Sequence, residues 1–386
     1  MKLLKLALLS AVSLAGTVHA ADLEIGDSKS SLGSLKLSGF LRAKFQDKDY
    51  SDADHSLKFD AAKINLDYKS QYLFGHVEYR CYQFDKLCDF SSLVDAYMGY
   101  NINPQSSIKL GLQDIPFGPY KFWSSNYYGG VNSQVGLEDV HNLGINYNIQ
   151  PIKGTTLDLA YFARDGGKYH GSNGEASRYS SNYVSSNDPD QTCLKEKNMW
   201  IGRINQELNF LDNEHLKTSV GASYWYSTID NKRTNQDGSR KAWAVFSQVA
   251  YDELKFTFTG GKNDVDNGDY TQSAQSSVGS FDDLYMVANQ GTFYTADLSY
   301  TFKDVYKGIS IMPYMMYSSY QKSQSGFKDS SRNIIGATID YKSFSLVSEY
   351  IIGKHDPSIG GTADSLGAGD DGRRNKMLNL TMLYHF

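Results

Sequence analysis

Beyond residue 20 the chain has no run that approaches eighteen consecutive apolar residues, and this absence excludes membrane-spanning helices. Also missing are a proline-rich or charged linker and any shift of composition along the 386 residues, so one continuous domain is expected. There is no excess of positive charge. The formal net charge is −5, or −7 once Lys2 and Lys5 are removed, which argues against nucleic acid as a partner. Cysteine is scarce, with Cys81, Cys88 and Cys193 as the whole set. Neither their spacing nor their histidine company suits a metal, and no cofactor is expected.

What is present begins with Lys2 and Lys5 ahead of an apolar run from Leu6 to Leu14, followed by Val18-His19-Ala20 with small residues at the cleavage positions. This reads as a signal peptide over 1–20, too short for a spanning helix of about twenty residues. Export makes disulfides available. Cys81 and Cys88 flank a short segment after an expected strand, so a local clamp is the simplest pairing, with Cys193 either free or taking Cys88 instead.

The mean hydropathy is negative, yet aromatic residues make up 13% of the chain and tyrosine alone contributes 29. The C-terminal segment shows how this composition is used. Leu378, Leu380, Met382, Tyr384 and Phe386 share one face of a strand, and Asn379, Thr381 and His385 the other. One apolar face about ten residues long fits a tilted strand crossing a bilayer. Similar period-two segments recur at 35–45, 57–69, 73–81, 93–101, 107–113, 142–148, 155–163, 198–206, 215–226, 240–251, 254–262, 291–300, 308–318, 332–341, 344–352 and 375–386. Short turns alternate with long polar loops between them, the rhythm of an outer-membrane barrel. The fold class expected is all-β: a transmembrane antiparallel up-and-down barrel of about sixteen strands. It occupies 35–386, after a short periplasmic segment over 21–34.

Strands directed toward the periplasm tend to finish on an outward tyrosine, as at Tyr68, Tyr100, Tyr251 and Tyr341, where a ring with a wet hydroxyl suits the membrane interface. A soluble sandwich shares the alternation but gives no reason for these tyrosines. Only the segment 198–206, with Trp200 and Ile204 as its apolar positions, fits the pattern poorly.

On the opposite face the first strands supply Lys36, Arg42, Lys44, Lys63 and Arg80, and later strands add Lys109 and Arg203. These are expected to form a basic pore wall that biases ion entry, accompanied by acids such as Glu78, Asp95, Asp158, Asp297 and Glu349; the alternative is a polar interior of ordinary ion pairs, for instance Arg80 with Glu78 or Asp95. The connection from Gln113 to His141 carries Pro116, Pro119 and several aromatics, a composition suited to packing against an inner wall. It is expected to fold inward as a third extracellular loop, setting Asp114, Glu138 and Asp139, with Lys121, across the pore from the basic wall.

Leu110-Gly111-Leu112-Gln113 running into Pro116-Phe117-Gly118, the third loop and the terminal Phe386 together resemble a Gram-negative trimeric porin, and are most similar to the phosphate-selective O/P type. The resemblance implies a homotrimer in the outer membrane, among lipid and lipopolysaccharide, with the third loop turned inward. It also implies phosphate selectivity through a ladder of arginines and a lysine ring, whereas this third loop holds no Arg and only Lys121.

Passive diffusion of small hydrophilic solutes, modestly favouring anions, is the expected activity, and a channel specific for phosphate or another small anion is the alternative. A barrel enzyme would need an oriented base, for which His76 near Glu78 is the one mid-strand candidate. About fourteen residues before the first strand leave no room for a plug. An adhesive role would rest on the long loops.

Overall fold

The computed structural model describes residues 23–51, 57–208 and 215–386. The expected leader over 1–20 lies outside the described residues. The strands are β1 (Leu23–Asp27), β2 (Gly33–Lys48), β3 (Leu57–Lys69), β4 (Leu73–Tyr82), β5 (Phe90–Asn103), β6 (Ser106–Asp114), β7 (His141–Ile149), β8 (Thr155–Asp165), β9 (Asn182–Tyr183), β10 (Leu194–Leu208) and β11 (Leu216–Asn231). They continue as β12 (Gln236–Tyr251), β13 (Leu254–Asp266), β14 (Gln275–Ser280), β15 (Asp283–Ala288), β16 (Gln290–Tyr300), β17 (Phe302–Tyr306), β18 (Ile309–Lys322), β19 (Ser330–Tyr341), β20 (Phe344–Lys354) and β21 (Arg374–His385).

Sixteen of them form a closed antiparallel barrel. Each pairs with its predecessor in the chain, apart from β1, β17 and the three loop strands, and β21 returns to β2 with Phe40 opposite His385 and Lys48 opposite Met377. Closure removes the free edges that an open sheet would present. Every segment read from the sequence overlays one of the sixteen, although several strands run further at their loop ends.

Burial is inverted relative to a soluble barrel. Leu110 and Ile335 stand outside, 64% and 62% exposed, while Asp158, Asp297 and Glu349 are enclosed at 1%, 1% and 0%. Polar residues inside and apolar residues outside suit a wall with hydrocarbon behind it. Exposed Tyr100, Tyr251, Tyr300 and Tyr341 mark the turn end, with Phe344 packed on Tyr384 at 5.1 Å between ring centroids. A second aromatic row, Trp200, Tyr224, Tyr226 and Trp243, marks the loop end.

Three features depart from the sequence reading. The 21–34 segment contains β1, which pairs with Gly33–Leu37 of β2. The polar connection at 262–288 holds the hairpin β14–β15, which joins β9 in a small three-stranded sheet. The poorly patterned segment at 198–206 is part of the longer β10. A register shift between Lys197 and Trp200, with Asn198 at φ 51°, inserts residues that break strict alternation.

Candidate functional site

Strands β2, β3 and β4 project the expected cations inward, and each meets a carboxylate. Arg42 and Lys44 share Asp60, with Lys44 Nζ 2.5 Å from Oδ1. Lys63 and Arg80 share Glu78, at 3.3 Å from Lys63 Nζ to Oε2 and 2.5 Å from Arg80 Nε to Oε1. Sharing leaves two cations for each of these two acids. Aromatic faces supply further support. The Arg42 guanidinium lies 5.2 Å from the Tyr127 ring centroid and donates to its hydroxyl, and Arg80 lies 5.0 Å from that of Tyr179.

The other expected cations are also paired. Lys109 bonds Asp114 at 3.2 Å, Lys121 bonds Asp139 at 3.2 Å, and Arg203 bonds Asp158 at 2.9 Å while donating to the Gly118 carbonyl at 2.7 Å. Lys36 stands lower on β2, opposite Asp67 in register. His76, the enzyme candidate, is 2.7 Å from Asp67 and does not contact Glu78 through a hydrogen bond.

The segment between β6 and β7 is held on two kinds of anchor. Ile115, Phe117, Phe122, Val131 and Leu137 belong to one buried cluster with Phe162, Trp225, Phe293 and Tyr320, side chains of β8, β11, β16 and β18. Phe122 and Phe293 stack with centroids 5.6 Å apart. Polar anchors come from the later strands. Asp297 accepts from Ser124 N–H at 3.1 Å and Ser125 Oγ at 2.5 Å, and Glu349 accepts from Tyr127 N–H at 2.7 Å. Arg332 donates to the carbonyls of Gly129 and Gly130 at 3.0 and 3.3 Å. Asp297 and Glu349, read as lumen acids, thus bind this backbone.

Asp114, Lys121 and Asp139 line a cavity of about 280 Å³ together with His76, Glu78, Arg80, Asp95 and His141. Burial alone would raise the Asp139 carboxyl, but Lys121 and His141 hold it well below the usual range. Glu138 corrects the sequence reading, which placed it across the pore from the cations. It is 1% exposed, accepts from Phe122 N–H at 3.1 Å, and has Oε1 unpartnered among the described residues. Burial pushes its carboxyl well above the ordinary value, and adjacent Asp139 adds to the shift. Enclosed in the loop core and bonded to the Phe122 N–H, the carboxyl is withdrawn from the pore lining.

Cys81 and Cys88 are joined as a disulfide and Cys193 is a free thiol. Asp60 was missed by sequence reasoning because Asp60 sits at a register shift opposite Arg42/Ala43. The bulge turns inward a residue that strict alternation sends outward.

The closed barrel with polar interior belongs to the porin-type fold. No family model matches the chain, and no curated protein matches it. Among solved structures it is similar to the outer membrane channel DcaP of Acinetobacter baumannii, with TM-score 0.61, 15% identity, and coverage of 93% of this chain and 99% of that one. OmpF of Salmonella typhi in complex with daunomycin gives 0.61 at 13% identity, covering 94% and 100%. The anion-selective porin from Comamonas acidovorans gives 0.55 at 10% identity, covering 92% and 100%. These likenesses establish the fold.

Proposed function

We propose that the chain forms a water-filled channel in the outer membrane of a Gram-negative bacterium, through which small hydrophilic solutes diffuse with a modest preference for anions. The observation that carries the reading is the two-to-one sharing of Asp60 by Arg42 and Lys44, and of Glu78 by Lys63 and Arg80. An inward wall with net positive charge, backed by low-dielectric hydrocarbon, concentrates anions near it. Paired cations bind solutes weakly, which suits passage better than retention. The 115–140 segment acts as the inward third loop and narrows the pore between its own Lys121 and Asp139 and the Arg80–Glu78 wall. Residues 1–20 serve export, 21–34 stay on the periplasmic side, and three copies assemble, as the porin resemblance implies.

Planar-bilayer recording under a salt gradient tests this. Stepwise conductance with a small reversal potential of anion sign is expected. Block by low phosphate would replace the general channel with the phosphate-specific alternative, and absence of conductance would move the weight to an enzyme or adhesin.

A further inference from the structure

The connection from β13 to β16 does not stay on its own side of the barrel. Its hairpin β14–β15 starts between those two neighbouring strands. The tip residue Phe281 packs on Tyr82 at the end of β4 and on Phe90 at the start of β5, with ring centroids 5.4 and 5.5 Å away. Six strands separate the β13/β16 pair from the β4/β5 pair in either direction around the barrel: β6, β7, β8, β10, β11 and β12 one way, β18, β19, β20, β21, β2 and β3 the other. The hairpin therefore crosses the whole mouth, from one wall to the opposite one.

Under the tip lies the cavity of about 280 Å³ beside Arg80. Phe281 also packs on Tyr179, at 5.3 Å between centroids, and Tyr179 rests on three groups that line the cavity. The Arg80 guanidinium is 5.0 Å from its ring centroid, the His141 ring is 5.3 Å away, and the Tyr179 hydroxyl donates to the Asp139 carboxylate at 3.3 Å. Tyr179 belongs to the connection between β8 and β10, so it reaches these groups from the loop side. Hairpin tip and connection are joined as one piece. Phe281 N–H donates to the Arg178 carbonyl at 2.8 Å and Asp282 N–H to that of Ala176 at 3.0 Å, while the Asp282 carboxylate accepts from the Ser172 and Ser177 hydroxyls at 2.9 and 2.6 Å.

Two opposing effects set how firmly this piece is seated. Phe281 and Asp282 form a two-residue turn with both φ values positive, 50° and 66°, a geometry that glycine and asparagine adopt readily and a bulky phenylalanine does not. A residue strained in this way persists only where its surroundings hold it, and here the ring contacts do so. Each such aromatic contact is modest. The root of the hairpin is fixed differently: Val278, Tyr285 and Val287 are buried with Val131 and Leu137 of the 115–140 segment, and the Tyr285 hydroxyl donates to the Gln134 carbonyl at 3.0 Å. A firm root with a strained, ring-held tip is the construction of a flap that opens from one end. We infer that the β14–β15 tip and the 172–180 segment form a lid over the outer route to the Arg80–Asp139 cavity, latched by Phe281 on Tyr82 and Phe90, and that release of the latch opens this route to solutes. The inference rests on the channel reading above.

Single-channel recording of the native barrel, Phe281→Asn and Phe281→Tyr tests it, with heat-modifiable gel mobility confirming that each barrel is closed. Asparagine suits the positive φ and lacks the ring, so it separates the latch from the turn. Two conductance levels are expected in the native protein. Phe281→Asn should raise the ratio of high-level to low-level residence by about tenfold, the scale of losing contacts of this kind, and Phe281→Tyr should remain native-like. Trypsin reads the same motion without conductance: cleavage after Arg178, which is buried and paired with Asp165, should be faster in Phe281→Asn. If Phe281→Asn does not fold, Phe90→Leu loosens the latch from the seat side with the same expected direction. Unchanged residence, or a longer-lived low level, in a folded and conducting variant overturns the inference and leaves the channel reading standing. Where no variant conducts, the channel reading falls and the cleavage rate decides the lid: faster cleavage in Phe281→Asn keeps it, and an unchanged rate overturns it.

Discussion

Arg332 and Asp356 form an enclosed bidentate ion pair, with Nε 2.7 Å from Oδ2 and Nη2 2.7 Å from Oδ1. The remaining donors of the same guanidinium go to the carbonyls of Gly129 and Gly130 and to Gln134 Oε1 at 3.0 Å. One side chain of β19 therefore ties the 115–140 segment to the loop after β20. Arg332→Ala leaves Asp356 buried without its partner, a loss of about 3–5 kcal/mol for such pairs, and frees three acceptors on the segment. The expected outcome is a lower thermal transition together with larger, noisier single-channel conductance. An unchanged conductance with lowered stability would show that the segment does not limit flow.

Asp60 allows the charge of the wall to be shifted in either direction. Removing Arg42 and Lys63 together should move the reversal potential toward zero while the barrel still folds, because both residues face the interior. Asp60→Asn should move it the other way, since Arg42 and Lys44 then lose the acid they share. If both variants shift the potential in the same direction, the wall does not set selectivity.

Glu138 links stability to pH with a definite sign. Its carboxyl is raised in the folded protein by burial and by Asp139, so above the ordinary carboxylate range the folded state binds more protons than the unfolded one. Stability from this group is fully present below the unfolded value and declines as pH rises toward the folded value. Glu138→Gln keeps the acceptor for Phe122 N–H and cannot ionise. Thermal transitions measured from pH 4 to pH 8 should fall less steeply in the variant than in the native protein; parallel slopes would rule Glu138 out as the source.

The disulfide loop is fastened twice. Besides the Cys81–Cys88 bond, the Asp89 carboxylate accepts from the N–H groups of Phe84, Asp85 and Lys86 at 2.8, 2.7 and 2.8 Å. Disulfides closing loops of this kind contribute about 2 kcal/mol, so Cys81→Ser with Cys88→Ser alone should leave the loop resistant to limited proteolysis. Adding Asp89→Ala should open it to cleavage between residues 82 and 89. Equal cleavage of both variants would assign the loop's shape to the disulfide alone.

The barrel was legible because its signal is repeated in sixteen strands and most of each repeat keeps the same period of two. The cation wall followed from that period. What escaped was wherever the period breaks: Asp60 at the β2–β3 register shift and the start of β10 near Asn198. The pairing of Arg80 with Glu78, two residues apart on one strand, was readable, whereas pairs between strands escaped for a different reason. Arg42 meets Asp60, and Arg203 meets Asp158, across neighbouring strands whose relative register no single segment specifies. Glu138 was read as a pore acid from its charge, but Phe117, Phe122 and Leu137 are what fold its loop, and they draw the carboxyl into a core. Hydrophobic positions in a loop record that it packs, and leave open which side of it faces water.

Gly39 and Phe386 close the barrel seam. Gly39 N–H donates to the Phe386 carbonyl at 2.9 Å and Phe386 N–H to the Gly39 carbonyl at 3.1 Å. The ring of Phe386 lies over the glycine, so an added Cβ would come within 2.7 Å of Cζ and 2.1 Å of the Lys63 carbonyl oxygen. Deleting Phe386 removes two backbone hydrogen bonds, each with a net contribution of about 0.5–1.5 kcal/mol, and uncovers Gly39 within β2. Gly39→Val goes further, because the Lys63 oxygen is backbone in the adjacent strand and cannot move aside without breaking the β2–β3 ladder. In refolding followed by heat-modifiable gel mobility, the deletion should lower the yield of closed barrel and Gly39→Val should lower it more. The reverse order would mean that the terminal ring, and not the close approach at Gly39, governs closure.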